Sequence, residues 1–390
     1  LRNAFKIEDI RKRIGYTFLM LIVIRIGSQL PIPCVNSEVF ANWFANQGGD
    51  AFSFLDAITG GSFYQMSVFA LNITPYITSS IIIQLLTIAI PKLEELQKDG
   101  EEGRKKITKI TRYLSVILAL VEAIAMAIGF GRSGYLDKFN VINVLLVVTT
   151  LTAGSTILMW IGERITERGV GNGISIVLTI NIISRIPADL TALFDQFIKG
   201  KTIAKGVLAA AIIAAIILVT VVFVVILQDA VRKIPVQYAK KMQGRKMVGG
   251  QTSNIPLKVN TSGVIPIIFA QSIMQFPIII CSFIGYNGTG VWAEILKGLN
   301  SGYWCKPSQP IYSLGLLLYI VLIVFFAYFY TSITFNPLMI ADNMKKQGGF
   351  IPGIRPGKPT SDYLNKILNY IVFIGAIGLI IVSVIPYFFN

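Results

Sequence analysis

Two ionisable side chains, Arg25 and Glu122, lie inside long apolar stretches of this sequence. Charged side chains in such stretches are costly to bury and usually take part in binding, proton transfer or gating. One arginine and one glutamate are too few for the series of ionisable groups that an ion-coupled transporter carries. We therefore interpret Glu122 as part of a polar seam between helices, and Arg25 as a side chain that binds backbone carbonyls or extends to the membrane surface.

The residue types that build most catalytic and metal centres are scarce. The 390 residues contain no His and three Cys, which are Cys34, Cys281 and Cys305. A Ser–His–Asp triad or a Cys/His zinc site cannot be assembled from this set. The glycines at 169–173 lack the preceding strand and the spacing of a dinucleotide-binding motif. We therefore expect no enzyme activity, no cofactor and no metal; a disulfide between Cys34 and Cys305 stays open.

The composition indicates that the chain lies in a membrane. Hydrophobic residues make up 54% and charged residues 14%, whereas a soluble domain has about 25% charged residues. The apolar runs suit a bilayer core of about 30 Å, which takes roughly 20 helical residues, and they lack the alternation of barrel strands. They predict nine helical spans: 14–33, 68–90, 113–130, 141–162, 173–186, 203–228, 263–284, 311–333 and 367–389. The first is too long for a cleaved signal peptide, and the fifth is unusually short.

The basic residues predict the orientation of these spans. With the amino terminus inside, the cytoplasmic segments hold 26 of the 35 Lys and Arg residues and the external segments hold 8. Cytoplasmic loops of membrane proteins carry the excess of Lys and Arg. The amino terminus is therefore predicted to be cytoplasmic.

Polar residues and prolines mark the second and seventh spans. Each span has an early proline, Pro75 or Pro266, and paired interrupted segments point to a substrate path in transporters and channels. The polar side chains on the two spans include Thr78, Gln84, Gln271 and Gln275. Beside the prolines stand aliphatic residues, among them Ile73, Ile77 and Ile268. They suit either ordinary packing or an apolar constriction that closes a pore by excluding water.

A short apolar helix is predicted between the first two spans. Ser53 could cap it, and Gly60 and Gly61 would end it. Phe54, Leu55 and Ile58 would form its apolar face. The segment is too short to cross a membrane, so it is either a surface helix or a re-entrant helix that covers an opening.

Two predicted cytoplasmic loops, 229–260 and 335–366, are long and rich in Gly, Pro and basic residues. Orientation in the membrane requires only a few positive charges. Attraction to anionic lipid explains part of the excess. The length of the loops favours docking surfaces for an anionic partner, either nucleic acid or an acidic protein.

Motifs along the whole chain resemble the SecY family, the channel-forming subunits of the Sec translocon. The matching segments are 25–33, 75–86, 100–107, 162–175, 238–245, 256–260, 335–337 and 350–357. Two departures stand out: Cys34 replaces a usual Gly, and the chain ends at Asn390 after nine predicted spans where the family has ten.

The resemblance implies an all-α polytopic channel of two inverted halves, residues 1–187 and 203–390, with a gate that opens sideways to lipid. Such a channel passes unfolded polypeptides across the bacterial inner membrane and releases membrane segments into it. The implied partners are the small subunits SecE and SecG, the SecA motor, the ribosome and anionic lipid.

The resemblance also assigns roles to individual residues. The apolar pore ring matches Ile73, Ile77, Leu178 and Ile268. The plug matches residues 53–63, with Ser53, Phe54, Leu55, Ile58, Gly60 and Gly61. The lateral gate would contain Thr78, Gln84, Glu122, Gln271 and Gln275, and the docking loops Arg245, Lys246 and Arg355.

Two other functions compete with the channel. A secondary transporter for a small solute would need more intramembrane charge than Arg25 and Glu122 supply. A membrane insertase without a continuous pore would need a polar, positively charged groove, for which Arg25 alone is poor support. Conductance with a trapped polypeptide separates these three functions.

Reporter enzymes fused within the predicted loops test the orientation, because the 26-to-8 asymmetry of basic residues fixes which loops are cytoplasmic. The fusion sites expected in the cytoplasm are Lys98, Arg245 and Lys358. The sites expected outside are Gly49, Lys199 and Lys297. A cytoplasmic signal at Lys199 would contradict the prediction that the fifth span crosses the membrane.

Overall fold

The apolar runs of the sequence form helices in a computed structural model of the chain. The structure describes residues 7–37, 39–40, 56, 58–132, 134–199, 203–238, 241–243, 246–248, 252–284, 290–305 and 310–388. They fall into two compact units. Unit 1 comprises residues 1–199 and 278–289, and unit 2 comprises residues 200–277 and 290–390.

Unit 1 is helical. Its helices are α1 (Glu8–Gly27), α2 (Thr74–Ala89), α3 (Pro91–Lys98), α4 (Gly100–Arg132), α5 (Val141–Arg168) and α6 (Gly173–Phe197). Helix α4 packs on α2 and α5, and α5 packs on α6. Small buried residues such as Ala123, Ala127 and Gly154 lie on the packed faces of α4 and α5. Small residues at helix contacts let backbones approach closely in membrane proteins.

The second predicted span begins as a helix later than expected. Residues 60–73 form turns, and α2 starts only at Thr74. Asn72 has φ 51°, which lies in the left-handed region and cannot belong to an α-helix. Pro75 then occupies the first turn of α2, where its missing N–H leaves no helical hydrogen bond unmade.

The fifth predicted span is longer than expected, and its predicted end at residue 186 is wrong. Helix α6 has 25 residues and contains Pro187. Pro is tolerated inside membrane helices because neighbouring groups satisfy the freed backbone. At the start of α6, the Asn172 side chain accepts hydrogen bonds from Ile174 N and Ser175 N at 3.1 and 3.4 Å. The proposed boundary at residue 187 therefore falls inside a helix.

Unit 2 combines helices with a small sheet. Its helices are α7 (Ile203–Asp229), α8 (Ile265–Ile284), α9 (Val291–Leu299), α10 (Ser313–Thr334), α11 (Pro337–Lys346) and α12 (Lys358–Val384). Helix α8 is divided after Pro277, so its last residues belong to unit 1. Helix α12 packs on α10 and α11.

Six of the described helices are long and apolar enough to cross a membrane, or seven if α2 and α3 are one bent span. The six correspond to α4, α5, α6, α7, α10 and α12. The chain is thus a multi-pass membrane protein. The other predicted spans correspond to helices that are shorter or charged: α1 begins with Glu8 and Asp9, α2 has 16 residues, and the apolar part of α8 is Ile265–Ile278. By length and hydropathy, the described helices therefore supply fewer membrane spans than the nine predicted.

The predicted loop 229–260 is a β-hairpin, which corrects the all-α prediction. Strand β1 (Val231–Tyr238) pairs antiparallel with β4 (Thr252–Lys258), in the register Ile234↔Ile255. Strands β2 (Lys241–Gln243) and β3 (Lys246–Val248) pair between them, and β5 (Gly349–Phe350) joins the other edge of β1. The second predicted loop therefore contributes a strand to the sheet formed by the first.

A single apolar cluster holds the sheet against the helices of unit 2. It contains Ile234 and Val236 of β1, Leu257 of β4, Met344 of α11 and Leu364 of α12, together with Ile351 and Ile371. In β1 the buried Ile234 and Val236 alternate with exposed residues, the two-residue period of a sheet with one covered face. The two long loops are thus one folded body.

Shortening Leu364 to Ala should loosen the hairpin, because this side chain is fully buried in the cluster beneath it. Such changes in packed cores cost about 2–5 kcal/mol, so local opening becomes more frequent. We expect faster hydrogen–deuterium exchange at residues 231–238 and 252–258, measured by mass spectrometry. Lys366→Ala, at an exposed position of the same helix, is the control. Equal exchange in Leu364→Ala and the unaltered protein would contradict this packing.

Candidate functional site

The foot of α2 is the centre of a buried apolar cluster in unit 1. Ile73 is fully buried and packs with Ile24 of α1, Leu158 and Ile161 of α5, and Val177 of α6. Ile77 lies four residues further along α2 and is half-buried against the same cluster. Residues four apart share one face of a helix. The structure therefore brings two of the predicted ring residues together, with Ile73 the deeper.

The other two predicted ring residues lie on different helices. Leu178 is half-buried on α6, beside the buried Val177. Ile268 is half-buried on α8, two residues after Pro266, in unit 2. Three of the four predicted ring residues thus belong to unit 1.

The predicted plug is described only at its carboxyl end. Ser53, Phe54 and Leu55 lie outside the described residues. Asp56, Ile58 and Thr59 are helical, and the chain then turns at Gly60 and Gly61, whose φ values are 66° and 84°. Glycine adopts positive φ without steric cost, so the predicted end of this helix at the two glycines is confirmed.

A polar network that sequence reasoning missed joins this end of the plug to α6. Asp56 is fully buried and forms an ion pair with Arg185. Asn72 Nδ2 donates to the Ile58 carbonyl at 2.9 Å, and Asn181 Nδ2 donates to Asn72 Oδ1 at 3.0 Å. The available signal was Asp56, an acidic residue in an otherwise apolar segment. Its partner lies far along the chain, where spacing gives no guidance.

Comparison with known proteins identifies the family. The family model described as SecY matches residues 67–390 of the chain. The chain belongs to the SecY family. The protein translocase subunit SecY of Bacillus subtilis strain 168 is 41% identical over 395 residues, which cover 100% of this chain and 88% of that protein.

Solved SecY and Sec61 structures share the fold. One is of a SecY protein whose plug domain is described as stabilising the closed state of the translocation channel. It has a TM-score of 0.66 and 20% identity, covering 96% of this chain and 85% of that one. Sec61 in the canine ribosome-channel complex has a TM-score of 0.61 and 19% identity, covering 97% of this chain and 90% of that one.

In this SecY-family chain, the predicted gate residues on α2 bond within their own helix. Thr78 Oγ1 donates to the Thr74 carbonyl at 3.0 Å, and Gln84 Nε2 donates to Ser80 Oγ at 3.4 Å. Such local bonds satisfy a hydroxyl or amide without a partner helix. Glu122 is half-buried on α4, which packs against α2. These three residues thus lie on neighbouring helices of unit 1.

The predicted gate residues of α8 belong to unit 2. Gln271 and Gln275 are both buried. The Gln271 Oε1 atom has no hydrogen-bond partner among the residues that the structure describes. Buried polar atoms are normally hydrogen-bonded.

Arg25 is a half-buried charged residue on a predicted span. Ser28 Oγ donates to the Arg25 carbonyl at 2.8 Å. The guanidinium Nη1 atom is buried without a partner in the described part of the chain. Arg25 lines a cavity together with apolar residues that include Phe18, Leu21 and Ile180.

Two of the three predicted docking residues, Lys246 and Arg355, lie on the folded body of unit 2. Arg245 is outside the described residues. Lys246 pairs with Gln243 in the short β2–β3 ladder at the hairpin tip. Arg355 is exposed in the turn between β5 and α12, and its carbonyl accepts a 2.8 Å hydrogen bond from Thr360 Oγ1. The backbone of this turn is therefore fixed while the guanidinium faces outward.

The three cysteines are free thiols. Cys34 belongs to unit 1 and Cys305 to unit 2. Both have positive φ values, 63° and 59°, at positions where a Gly suits the backbone better. This positive φ explains why the SecY family usually has Gly at position 34.

Proposed function

We propose that this chain is the channel subunit of a protein translocase, which conducts unfolded polypeptides across the bacterial inner membrane and releases apolar segments sideways into lipid. The observation that carries the proposal is the 41% identity over the whole chain to a protein translocase subunit SecY. The multi-pass apolar helices suit the same role. We infer that the amino terminus is cytoplasmic, from the excess of basic residues on that side.

An apolar constriction explains how one channel can pass many sequences. Ile77, Leu178 and Ile268 present aliphatic side chains that impose no hydrogen-bond pattern on a polypeptide. A narrow ring of such side chains excludes water and ions at rest. In this proposal the fully buried Ile73 anchors the foot of α2 in the core of unit 1, and Ile77 narrows the passage. The plug covers the passage when no substrate is present.

The lateral gate is proposed between the two inverted halves. Thr78, Gln84 and Glu122 would contribute from the first half, and Gln271 and Gln275 from the second. Polar side chains on facing membrane helices hydrogen-bond across the contact, and such bonds contribute only about 0.6–2 kcal/mol each. A seam held by a few of them can therefore be separated at modest cost.

The partners of the channel are also proposed by family resemblance. SecE and SecG would cover membrane helices such as α7, whose apolar window has no residue buried within the chain. SecA or the ribosome would dock on the hairpin and on the turn that carries Arg355. The net charge of +15 suits ribosomal phosphate and anionic lipid.

The ring is tested by lining it with hydroxyl groups. Changing Ile77 and Ile268 together to Ser should increase the resting ion leak, because the barrier to water is lost. Uptake of a secretory precursor should persist, since an extended chain needs width rather than a chemical partner. The leak is measured in planar bilayers that contain the chain and its small subunits. Val222→Ser, on the exposed surface of α7, is the control, and no added leak in the double variant would contradict the ring.

The channel function itself has a direct test. A precursor with a folded carboxyl-terminal domain stalls during transport and holds the channel open. We expect ion conductance in the unaltered channel only when the precursor is stalled. A solute transporter or a closed insertase would give no conductance under these conditions.

The docking surface is tested by reversing one charge. Arg355→Glu should reduce motor-driven translocation, because an exposed rim charge steers association with an oppositely charged partner. Membrane insertion of the variant should be unchanged, since the remaining basic residues still fix its orientation. Lys138→Glu makes the same charge change at an exposed residue on the predicted external side. An equal loss of translocation in both variants would argue against docking at Arg355.

A further inference from the structure

The carboxyl end of the plug rests directly on helix α6. This plug turn consists of residues 56 and 58–61. A Cβ atom added at Gly60 would collide with the Asn181 carbonyl and lie 2.8 Å from Ser184 Oγ. Only a residue without a side chain fits so close to another backbone. The plug turn is therefore seated on one site of α6, around residues 181–185.

In the ion pair at this site, Asp56 is buried and Arg185 is partly exposed to solvent. The Asp56 side chain has 0% relative exposure and that of Arg185 has 32%. Asp56 also accepts a 2.9 Å hydrogen bond from Tyr64 N through Oδ1. A buried carboxylate that loses its cation is left uncompensated, which is far more costly than the loss of a surface pair. Arg185 is the partner that makes the buried position of Asp56 tolerable.

Arg185 has a second carboxylate within reach. Its Nε atom donates to Asp189 Oδ1 at 3.3 Å, and the Asp189 side chain is 60% exposed. When the plug turn leaves, Arg185 keeps this partner and gains water. The Asp56 carboxylate is hydrated at the same time. Separation of the pair therefore leaves no buried charge unpaired on α6.

A neutral relay connects the same turn to the foot of α2. Asn181 of α6 donates to Asn72, and Asn72 donates to the Ile58 carbonyl of the plug turn. Asn72 directly precedes Ile73, the deepest residue of the apolar cluster. The plug turn thus holds the residue that sets where α2 begins.

We propose that the Asp56–Arg185 pair and the Asn72–Asn181 relay form a latch that seats the plug turn on α6 and keeps the channel closed. The proposal rests on the proposed channel function. Opening breaks the ion pair and the bond to Ile58, leaves Arg185 bonded to Asp189, and frees the backbone beside Ile73. The latch is built from polar contacts that water can replace once the plug turn leaves.

A double-mutant cycle with a matched control tests the latch. The variants are Asp56→Asn, Arg185→Gln, the two combined, and Asp195→Asn, all in the full chain with its small subunits. We expect the resting ion leak to rise roughly tenfold or more in each of the first two, since each breaks a largely buried pair. The combined variant should leak no more than the worse single variant, because contacting residues do not contribute additively. Asp195→Asn removes the exposed ion pair with Lys199 at the end of α6 and should leak like the unaltered channel.

A second readout reports on the latch independently of conductance. Hydrogen exchange at the Tyr64 amide, which donates to Asp56, should be faster in Asp56→Asn and in Arg185→Gln. Asn181→Ala keeps every charge and should accelerate the same exchange by breaking the relay. Asn181→Ala also serves as the test variant in place of Asp56→Asn if Asp56→Asn does not assemble.

The outcomes separate the latch from the channel function. Wild-type leak in Asp56→Asn and Arg185→Gln, additive effects in the combined variant, or an equal leak in Asp195→Asn would each overturn the latch. Faster exchange at the Tyr64 amide without added ion leak would overturn the role of the latch in closing the channel. If the unaltered channel fails to conduct with a stalled precursor, the channel function fails instead, and the exchange data still decide whether the pair seats the plug turn.

Discussion

A peptide group in hydrocarbon has no water to bind, and this constraint governs the whole chain. An unsatisfied N–H or C=O group costs several kcal/mol there, so membrane segments are helical unless protein covers them. The turns at 60–73 are the main exception in unit 1. Their backbone pairs with the end of the first span: Val68 N donates to the Leu30 carbonyl at 2.9 Å, and Ile32 N donates to the Met66 carbonyl at 2.8 Å. These bonds determine where α2 begins and therefore where Ile73 and Ile77 lie.

Close backbone approach follows from the same constraint, because the irregular turns must be enclosed. A Cβ added at Gly154 of α5 would collide with the Val68 carbonyl, and one added at Gly27 of α1 would collide with the Phe69 ring. Glycine at these positions leaves room for the helices to approach the turns closely. The same principle operates at Gly60, where α6 touches the plug turn.

The sequence predicted the helices well where apolar length alone decides, and poorly where a distant contact decides. The long runs that became α4, α5, α7, α10 and α12 need only lipid to be stable, so composition reveals them. The fifth helix continues through Pro187, because Pro is tolerated inside membrane helices where neighbouring groups satisfy the freed backbone. The hairpin at Ile234 and Val236 was hidden by basic and glycine residues, which mask a two-residue alternation over so few positions.

The candidate site shows the same division. Ile73 and Ile77 could be singled out because their four-residue spacing and the adjacent Pro75 are local features, whereas their role in a ring comes from the family resemblance and stays a prediction. Asp56 and Arg185 were missed as a pair because a salt bridge between distant segments leaves no periodic trace in one sequence. In the sequence, Asn72 is one polar residue within the second predicted span, 68–90. Its bond to Ile58 depends on the left-handed backbone at residue 72, which the turns impose.

A channel for arbitrary polypeptides faces two opposed requirements. The closed channel must exclude ions at rest. It must also open for a polypeptide that offers no fixed group for the channel to bind. An apolar ring meets the first requirement without specific bonds, but aliphatic contacts alone hold a plug with no preferred register, since the hydrophobic effect is non-directional. Directional polar contacts supply the register. Separating such contacts costs little free energy, because each protein–protein hydrogen bond is exchanged for one with water. The net contribution of each bond is only about 0.5–1.5 kcal/mol. In the proposed ring and latch, tightness from apolar surface and reversibility from polar contacts belong to different residues, and Asn72 beside Ile73 is the point where the two meet.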